Sequence, residues 1–441
     1  MSSARFFIKQ PKKADTLAEK TEKRTKKLLG QRLTHVSPHW LVSTGEILGL
    51  LIILAINFFL LLPFFGQEHQ ANGFSAPFIP LLAKLTSFVM PYAHGVRFWL
   101  LICLMFLPIS LYFFIREISR RRLAAFAATL IISLPVGVFL PLRTRLGLFM
   151  DDGGQAASLT IILFSCLFLL RFLKGGNFKM AAATSLTMSL VALTSPLGSF
   201  ILVCCALAIT FSEMLLNQGR LKLLRLLTVL VFTAGLSTFW YHPSFVLAII
   251  NSEQGRLLIK AFANLLPISF FLVPLLGALG FLLFENKPQL QPLFLALLLS
   301  TGFGLLALGT GVQLSSASRF LIIFSVSLSF LSGIILTYVF DFFKTSTQFK
   351  KIKLLNRFQQ QLSYISLGLF LGLIILIITG SGRSFRASGD MRVLGLETIK
   401  RTGVWEMRAK SGRTVSLVGS AISLFTAGLI VYLGKKVNKK T

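Results

Sequence analysis

Acidic residues are scarce in this sequence, 15 against 45 Lys and Arg in 441 residues, and charged residues of both signs make up only 14% of the chain. A soluble protein of this length would need a polar surface over two or three cores, so a charge content this low excludes that class. Cysteine is also rare. Cys103, Cys166, Cys204 and Cys205 all lie inside apolar runs, with no CxxC or Cys/His spacing. That excludes a disulfide framework and a zinc site, and leaves small apolar fillers. A cleavable secretory signal is lacking too. In its place stands a long basic segment, with Lys9, Lys12, Lys13, Lys20, Lys23, Arg24, Lys26 and Lys27, that leads into a full-length hydrophobic run. No internal repeat of the transporter kind is visible.

What is abundant is apolar. Hydrophobic residues make up 54% of the chain, and Phe alone occurs 43 times. Lipid tolerates outward-facing apolar side chains but demands helical hydrogen bonding along each crossing of roughly 20 residues. Runs of that length fall at 44–65, 97–115, 123–141, 156–173, 180–195, 197–216, 223–241, 264–284, 291–309, 319–341, 362–380 and 414–434. Residues 180–216 are apolar throughout, and one helix of that length would reach roughly 55 Å, against a hydrocarbon core of about 30 Å. Ser195-Pro196-Leu197-Gly198 supplies the turn that divides it in two. The expected fold class is therefore all-α, a polytopic transmembrane helical bundle of about 12 spans.

The net charge of +30 suggests nucleic acid at first sight, but the cations do not form one soluble surface. They sit in short clusters between hydrophobic runs. Alternate loops hold the N-terminal tail, Arg116 to Arg122, Arg171 to Lys179, Arg220 to Arg225, Lys287, Lys344 to Arg357 and Lys435 to Lys440, together 30 of the 45 basic residues. The positive-inside rule puts these loops and both termini in the cytoplasm and the protein in the plasma membrane. The expected organisation is a basic cytoplasmic tail (1–43) lying on anionic lipid headgroups, a transmembrane domain (44–380), an external interfacial loop (381–413) and a terminal helix with a basic tail (414–441). The loop 381–413 runs against the rule, with eight Lys or Arg. The first external loop, Gln67 to Tyr92, is moderately apolar but broken by Pro77, Pro80 and Pro91. It reads as a re-entrant or interfacial segment.

Four stretches carry a family resemblance. They are Leu111-Tyr112-Phe113-Phe114-Ile115-Arg116 with Arg122-Leu123-Ala124-Ala125-Phe126-Ala127-Ala128; Gly153-Gly154-Gln155 with Leu193-Thr194-Ser195-Pro196-Leu197; Phe239-Trp240-Tyr241-His242-Pro243; and Leu306-Ala307-Leu308-Gly309-Thr310 before Ser318-Arg319-Phe320. In this order they resemble the GT-C superfamily of membrane glycosyltransferases, most of all the bacterial and archaeal membrane proteins labelled pyruvoyl-tetrahydropterin synthase-related. The resemblance covers about residues 44 to 340 and implies a GT-C-like bundle that takes sugar from a polyprenyl-phosphate donor. The chain departs from that pattern in three places, one being that the large external C-terminal region is reduced to the loop around residues 381–413. Glu68-His69 stands where the family's first loop carries an Asp and commonly a His, and Ser195 stands where a His often precedes Pro.

Sugar transfer from a lipid phosphate requires a carboxylate to deprotonate or orient the acceptor, a group to neutralise the departing phosphate, and a groove for the lipid. Glu68 and His69 stand just outside the first run, where a base is wanted, although an ordinary solvated loop also accounts for them. Asp151 and Asp152 could supply hard oxygen ligands to Mg²⁺ or Mn²⁺. Asp152 suits the N-cap of the fourth span equally well. Arg319, at the outer start of the tenth span, has the fork geometry for phosphate, or else snorkels to the interface. Arg143 and Arg145, beside the acidic pair, share its expected substrate-binding role. His242 after Trp240-Tyr241 reads as part of an interfacial aromatic belt, and Asn57 as a helix–helix hydrogen bond. The alternatives to a transferase are a transporter or flippase of a lipid-linked substrate, which should carry polar groups at mid-span, and a non-catalytic scaffold with a degenerate site.

Overall fold

The computed structural model describes residues 44–68, 76–135, 153–216, 219–243, 288–307, 317–345 and 413–438, with residues 139, 140, 144, 148, 246, 247 and 251. The helices are α1 (Thr44–Phe65), α2 (Phe78–Leu85), α3 (Tyr92–Ser119), α4 (Arg122–Ser133), α5 (Gly154–Gly175), α6 (Phe178–Thr194), α7 (Pro196–Leu216), α8 (Gly219–Ser237), α9 (Gln291–Ala307, after a 3₁₀ turn at Pro288–Leu290), α10 (Ala317–Thr345) and α11 (Arg413–Asn438). There are no strands among the described residues. The chain divides into two compact units, residues 1–52, of which 44–52 are described, and residues 53–441. The expected spans 264–284 and 362–380, the tail 1–43 and, but for Arg413, the loop 381–413 lie outside the described residues.

Six of these helices are long and apolar enough to cross a bilayer: α1, α3, α5, α7, α10 and α11. Three shorter apolar helices, α4, α6 and α9, accompany them. Phe59, Leu62, Leu207, Val231, Leu424 and Phe425 turn exposed apolar side chains outward, a surface that lipid accepts and water does not. The chain is a helical, multi-pass integral membrane protein.

The connections α3–α4, α5–α6, α6–α7 and α7–α8 are short, which makes those neighbouring helices antiparallel. Arg120 takes a left-handed conformation (φ 56°) and closes α3 by donating its N–H to the Arg116 carbonyl, at 2.9 Å. After α5, Gly176 turns left-handed and Asn177 caps α6 by accepting from the Lys179 N–H, at 2.9 Å. The break expected within 180–216 is present. α6 stops at Thr194, α7 begins at Pro196, and the Ser195 hydroxyl accepts from the Gly198 N–H at 3.2 Å.

Within the second unit, α3 packs on α4 and α5, α5 on α6 and α7, and α10 on α9 and α4. Leu100, Leu101 and Leu104 of α3 meet Leu60, Leu61 and Phe64 of α1, Ile79 and Ala83 of α2, and Ala156 and Ala157 of α5. Small residues set the closest approach. A Cβ at Gly333 of α10 would stand 2.6 Å from the Ala124 carbonyl and 2.8 Å from the Ala128 Cβ, so α4 and α10 touch at backbone distance. Asn57 donates to the Ser133 hydroxyl of α4 and to the Ile53 carbonyl, both at 2.9 Å, the interhelical bond expected of it. A dry void of about 20 Å³ lies between Leu111, Ile162, Cys166, Cys205, Ile323 and Phe330. All four cysteines are free.

Candidate functional site

Helix ends that the charge pattern places on one side do meet in space. Glu117 near the end of α3 accepts from Arg171 of α5, Nε at 2.9 Å and Nη2 at 2.7 Å. Glu213 near the end of α7 is buried, and accepts from Lys222 of α8 at 3.0 Å and from the Gln291 amide of α9 at 2.6 Å. The Lys174 ammonium lies 3.8 Å from the same carboxylate. Arg121 pairs with Asp341 of α10 and stacks over Tyr338, while Arg225 donates to the Leu173 carbonyl at 2.6 Å. These contacts bind α3, α5, α7, α8, α9 and α10 into one basic end. Glu117, Glu213 and Asp341 each have a cation against them, so this end ties helices together.

The opposite end is built differently. α1 runs out at Phe65 and the chain reaches Glu68, while α3 begins at Tyr92 and brings His94 and Arg97 beside it. Arg97 is 2% exposed. Its guanidinium donates to the Leu148 carbonyl at 3.0 Å and to the Glu68 carbonyl at 3.1 Å. One buried cation therefore fastens the chain after α1 to the chain at Leu148, since a fork of N–H donors can serve two carbonyls at once. The Glu68 carboxylate itself is left 68% exposed, with the His94 Nδ1 4.0 Å away. At the start of α5, Gly153 is left-handed (φ 79°), and a Cβ there would lie 2.3 Å from Leu100. Only glycine fits that turn.

Of the candidate site residues, Glu68 is the one whose side chain the structure describes. His69, Arg143, Arg145, Asp151 and Asp152 lie outside the described residues. Arg319 falls in the first turn of α10, and its side chain lies outside them as well. Gly153, with no side-chain hydrogen bond, occupies the N-cap of α5, so the capping expectation for Asp152 is wrong. The chain needs a left-handed residue there, and Asp does not provide one cheaply. The aromatic-belt expectation also fails. Trp240 and His242 are buried, and the Tyr241 hydroxyl donates to the Ala192 carbonyl at 2.7 Å, so this turn packs on the end of α6. Among the described residues no three His, Cys, Asp or Glu side chains gather as a metal site.

Sequence reasoning missed Arg97 and His94. A signal was there: an arginine inside an apolar run is expensive in lipid and marks a structural or functional contact. No protein-family model matches the chain, and no curated protein matches it in sequence.

Proposed function

We propose that the protein is a GT-C-like enzyme of the membrane interface, moving sugar from a polyprenyl-phosphate donor to an envelope acceptor at the end that holds Glu68, His94 and Arg97. The placement of polarity carries this reading. Every charged side chain described lies within about two turns of a helix end, and the void among the described mid-bundle residues has an apolar lining. A transporter needs polar groups at mid-depth, whereas an interfacial transferase needs them at one end. In the proposed reaction the acceptor hydroxyl oxygen bonds to the anomeric carbon as the bond from that carbon to the lipid-phosphate oxygen breaks. The proton passes to the Glu68 carboxylate, with His69 beside it. The departing phosphate takes the electron pair and is neutralised by Arg319, Arg143 and Arg145.

Binding of a polyprenyl-phosphate analogue to the protein in nanodiscs tests this. Arg319→Ala is expected to weaken binding by roughly tenfold or more, the worth of a charge-assisted contact of about 1.5–3 kcal/mol. Arg319→Lys is expected to restore it in part, because an ammonium lacks the fork. No binding by the parent protein would sink the proposal. A divalent-ion site at Asp151 and Asp152 predicts thermal stabilisation by Mg²⁺ or Mn²⁺ that both Asp151→Asn and Asp152→Asn abolish. The basic end is proposed to face the cytoplasm of the plasma membrane. Reporters fused after Arg122, Lys179 and Arg225 should then report inside, and those near Asp152 and Ser252 outside.

One observation favours a non-catalytic membrane scaffold instead. Glu68 is widely exposed and stands beyond hydrogen-bond distance of His94, which describes an ordinary solvated carboxylate as well as a base. Lipid binding without turnover, indifferent to Glu68→Gln, would establish that reading.

A further inference from the structure

The segment between α1 and α3 folds back along α3. Trp99, seven residues into α3, donates its indole N–H to the Thr86 hydroxyl at 3.4 Å, and a Cβ at Gly95 would stand 3.1 Å from the same hydroxyl. At 1.5 Å per residue, Trp99 lies roughly 10 Å below the start of α3. The segment therefore descends beside the helix instead of standing away from it. Beyond α2 the chain turns at 86–90 and presents Phe88 and Val89 at its tip, 86% and 69% exposed. Leu81, Leu85 and Tyr92 are further exposed apolar side chains of this segment.

The turn engages most of its N–H donors internally. The N–H groups of Thr86, Ser87, Val89 and Met90 donate to the carbonyls of Leu82, Lys84, Thr86 and Thr86, and the Ser87 hydroxyl donates to the Lys84 carbonyl at 2.7 Å. A turn built for water leaves its backbone to water. One that enters lipid must satisfy its polar groups internally. Ring contacts of Phe65 with Phe98 and of Phe98 with Trp99, 6.0 Å and 5.6 Å between centroids, join α1 to the part of α3 that holds Thr86.

We infer that residues 78–90 form a lipid-inserted wedge, with Phe88 and Val89 among the acyl chains of the leaflet at the Glu68 end and Lys84 at the level of its phosphates. The wedge does not depend on the transferase proposal. It would hold the bundle at a fixed depth and disturb lipid packing beside Glu68, Arg97 and His94.

The test is spin-label accessibility. Cys103, Cys166, Cys204 and Cys205 are replaced by Ala, and Phe88→Cys, Val89→Cys and Lys84→Cys are introduced one at a time, labelled with a nitroxide and placed in nanodiscs with one copy per disc. Labels at 88 and 89 are expected to collide several-fold more with oxygen, which concentrates in acyl chains, than with a water-soluble nickel chelate. The label at 84 should show the reverse. Chelate access at 88 and 89 equal to that at 84 would overturn the wedge. Protection from both reagents that appears only with two copies per disc would overturn it in favour of a second copy of the chain. If alanine at the four cysteine positions prevents folding, Phe88→Asp and Val89→Asp in the otherwise native chain replace the labels. Partition of that variant into the membrane fraction and its thermal stability in nanodiscs should both fall, while its stability in detergent micelles should change little. Equal loss in both media would mean a packing role and overturn the wedge.

Discussion

At the basic end Glu117, Glu213 and Asp341 each rest against a cation supplied by another helix or by the turn between α3 and α4. At the opposite end the cation Arg97 donates to two backbone carbonyls, and the Glu68 carboxylate is left largely exposed, with His94 4.0 Å away. The same two side-chain types thus do different jobs. Carboxylate against cation fixes helix to helix, and neutralises both at a depth where a lone charge is costly. Guanidinium against carbonyl fixes loop to loop and leaves the carboxylate available. A membrane protein that works at one surface gains from this division, because the closed end can be rigid while the other stays chemically open.

The largest effect is expected where the pairing is deepest. Glu213→Ala strands Lys222 and Lys174 without their carboxylate, and thermal unfolding in detergent should show a loss of about 3–5 kcal/mol. A variant that melts like the parent would remove the contrast between the ends.

Arg97→Ala comes next. It withdraws charged donors from the Leu148 and Glu68 carbonyls, a loss of about 1.5–3 kcal/mol if both are left unsatisfied. Hydrogen exchange should rise in the outer segments near residues 68 and 148 and stay unchanged at the basic end. Arg97→Lys should recover only part of the protection, since one ammonium does not span both carbonyls with the same fork. A uniform rise at both ends would show that Arg97 supports the whole bundle.

Glu117→Ala should cost less, on the order of 1 kcal/mol or below, because both it and Arg171 are partly exposed and screened. The smallest effect is expected at Glu68. Glu68→Gln should leave stability within about 0.5 kcal/mol of the parent. The same variant in an assay for sugar transfer sharpens the comparison, since loss of turnover without loss of stability would mark the open carboxylate as working chemistry.

Hydropathy and charge spacing made much of the bundle legible. A run of about twenty apolar residues has no other way to satisfy its backbone in lipid, so six of the expected runs became helices long enough to cross, while the run at 123–141 gave only the short α4, and Ser195-Pro196 became the expected break. Asn57 was legible as an interhelical donor for the same reason, because an amide inside a span has to find a partner. The clustering of cations in alternate loops foretold which helix ends would meet. Tertiary structure decided the rest. Gly153 took the cap position proposed for Asp152 because its backbone is left-handed and pressed on Leu100, and no periodicity announces a left-handed residue. Trp240 and His242 went inward because the end of α6 was there to receive them. Arg97 became the tie between two loops because it lies 29 residues from one carbonyl and 51 from the other. Composition sets how many helices a membrane can accept, but only packing brings residues so far apart in the chain within hydrogen-bond distance.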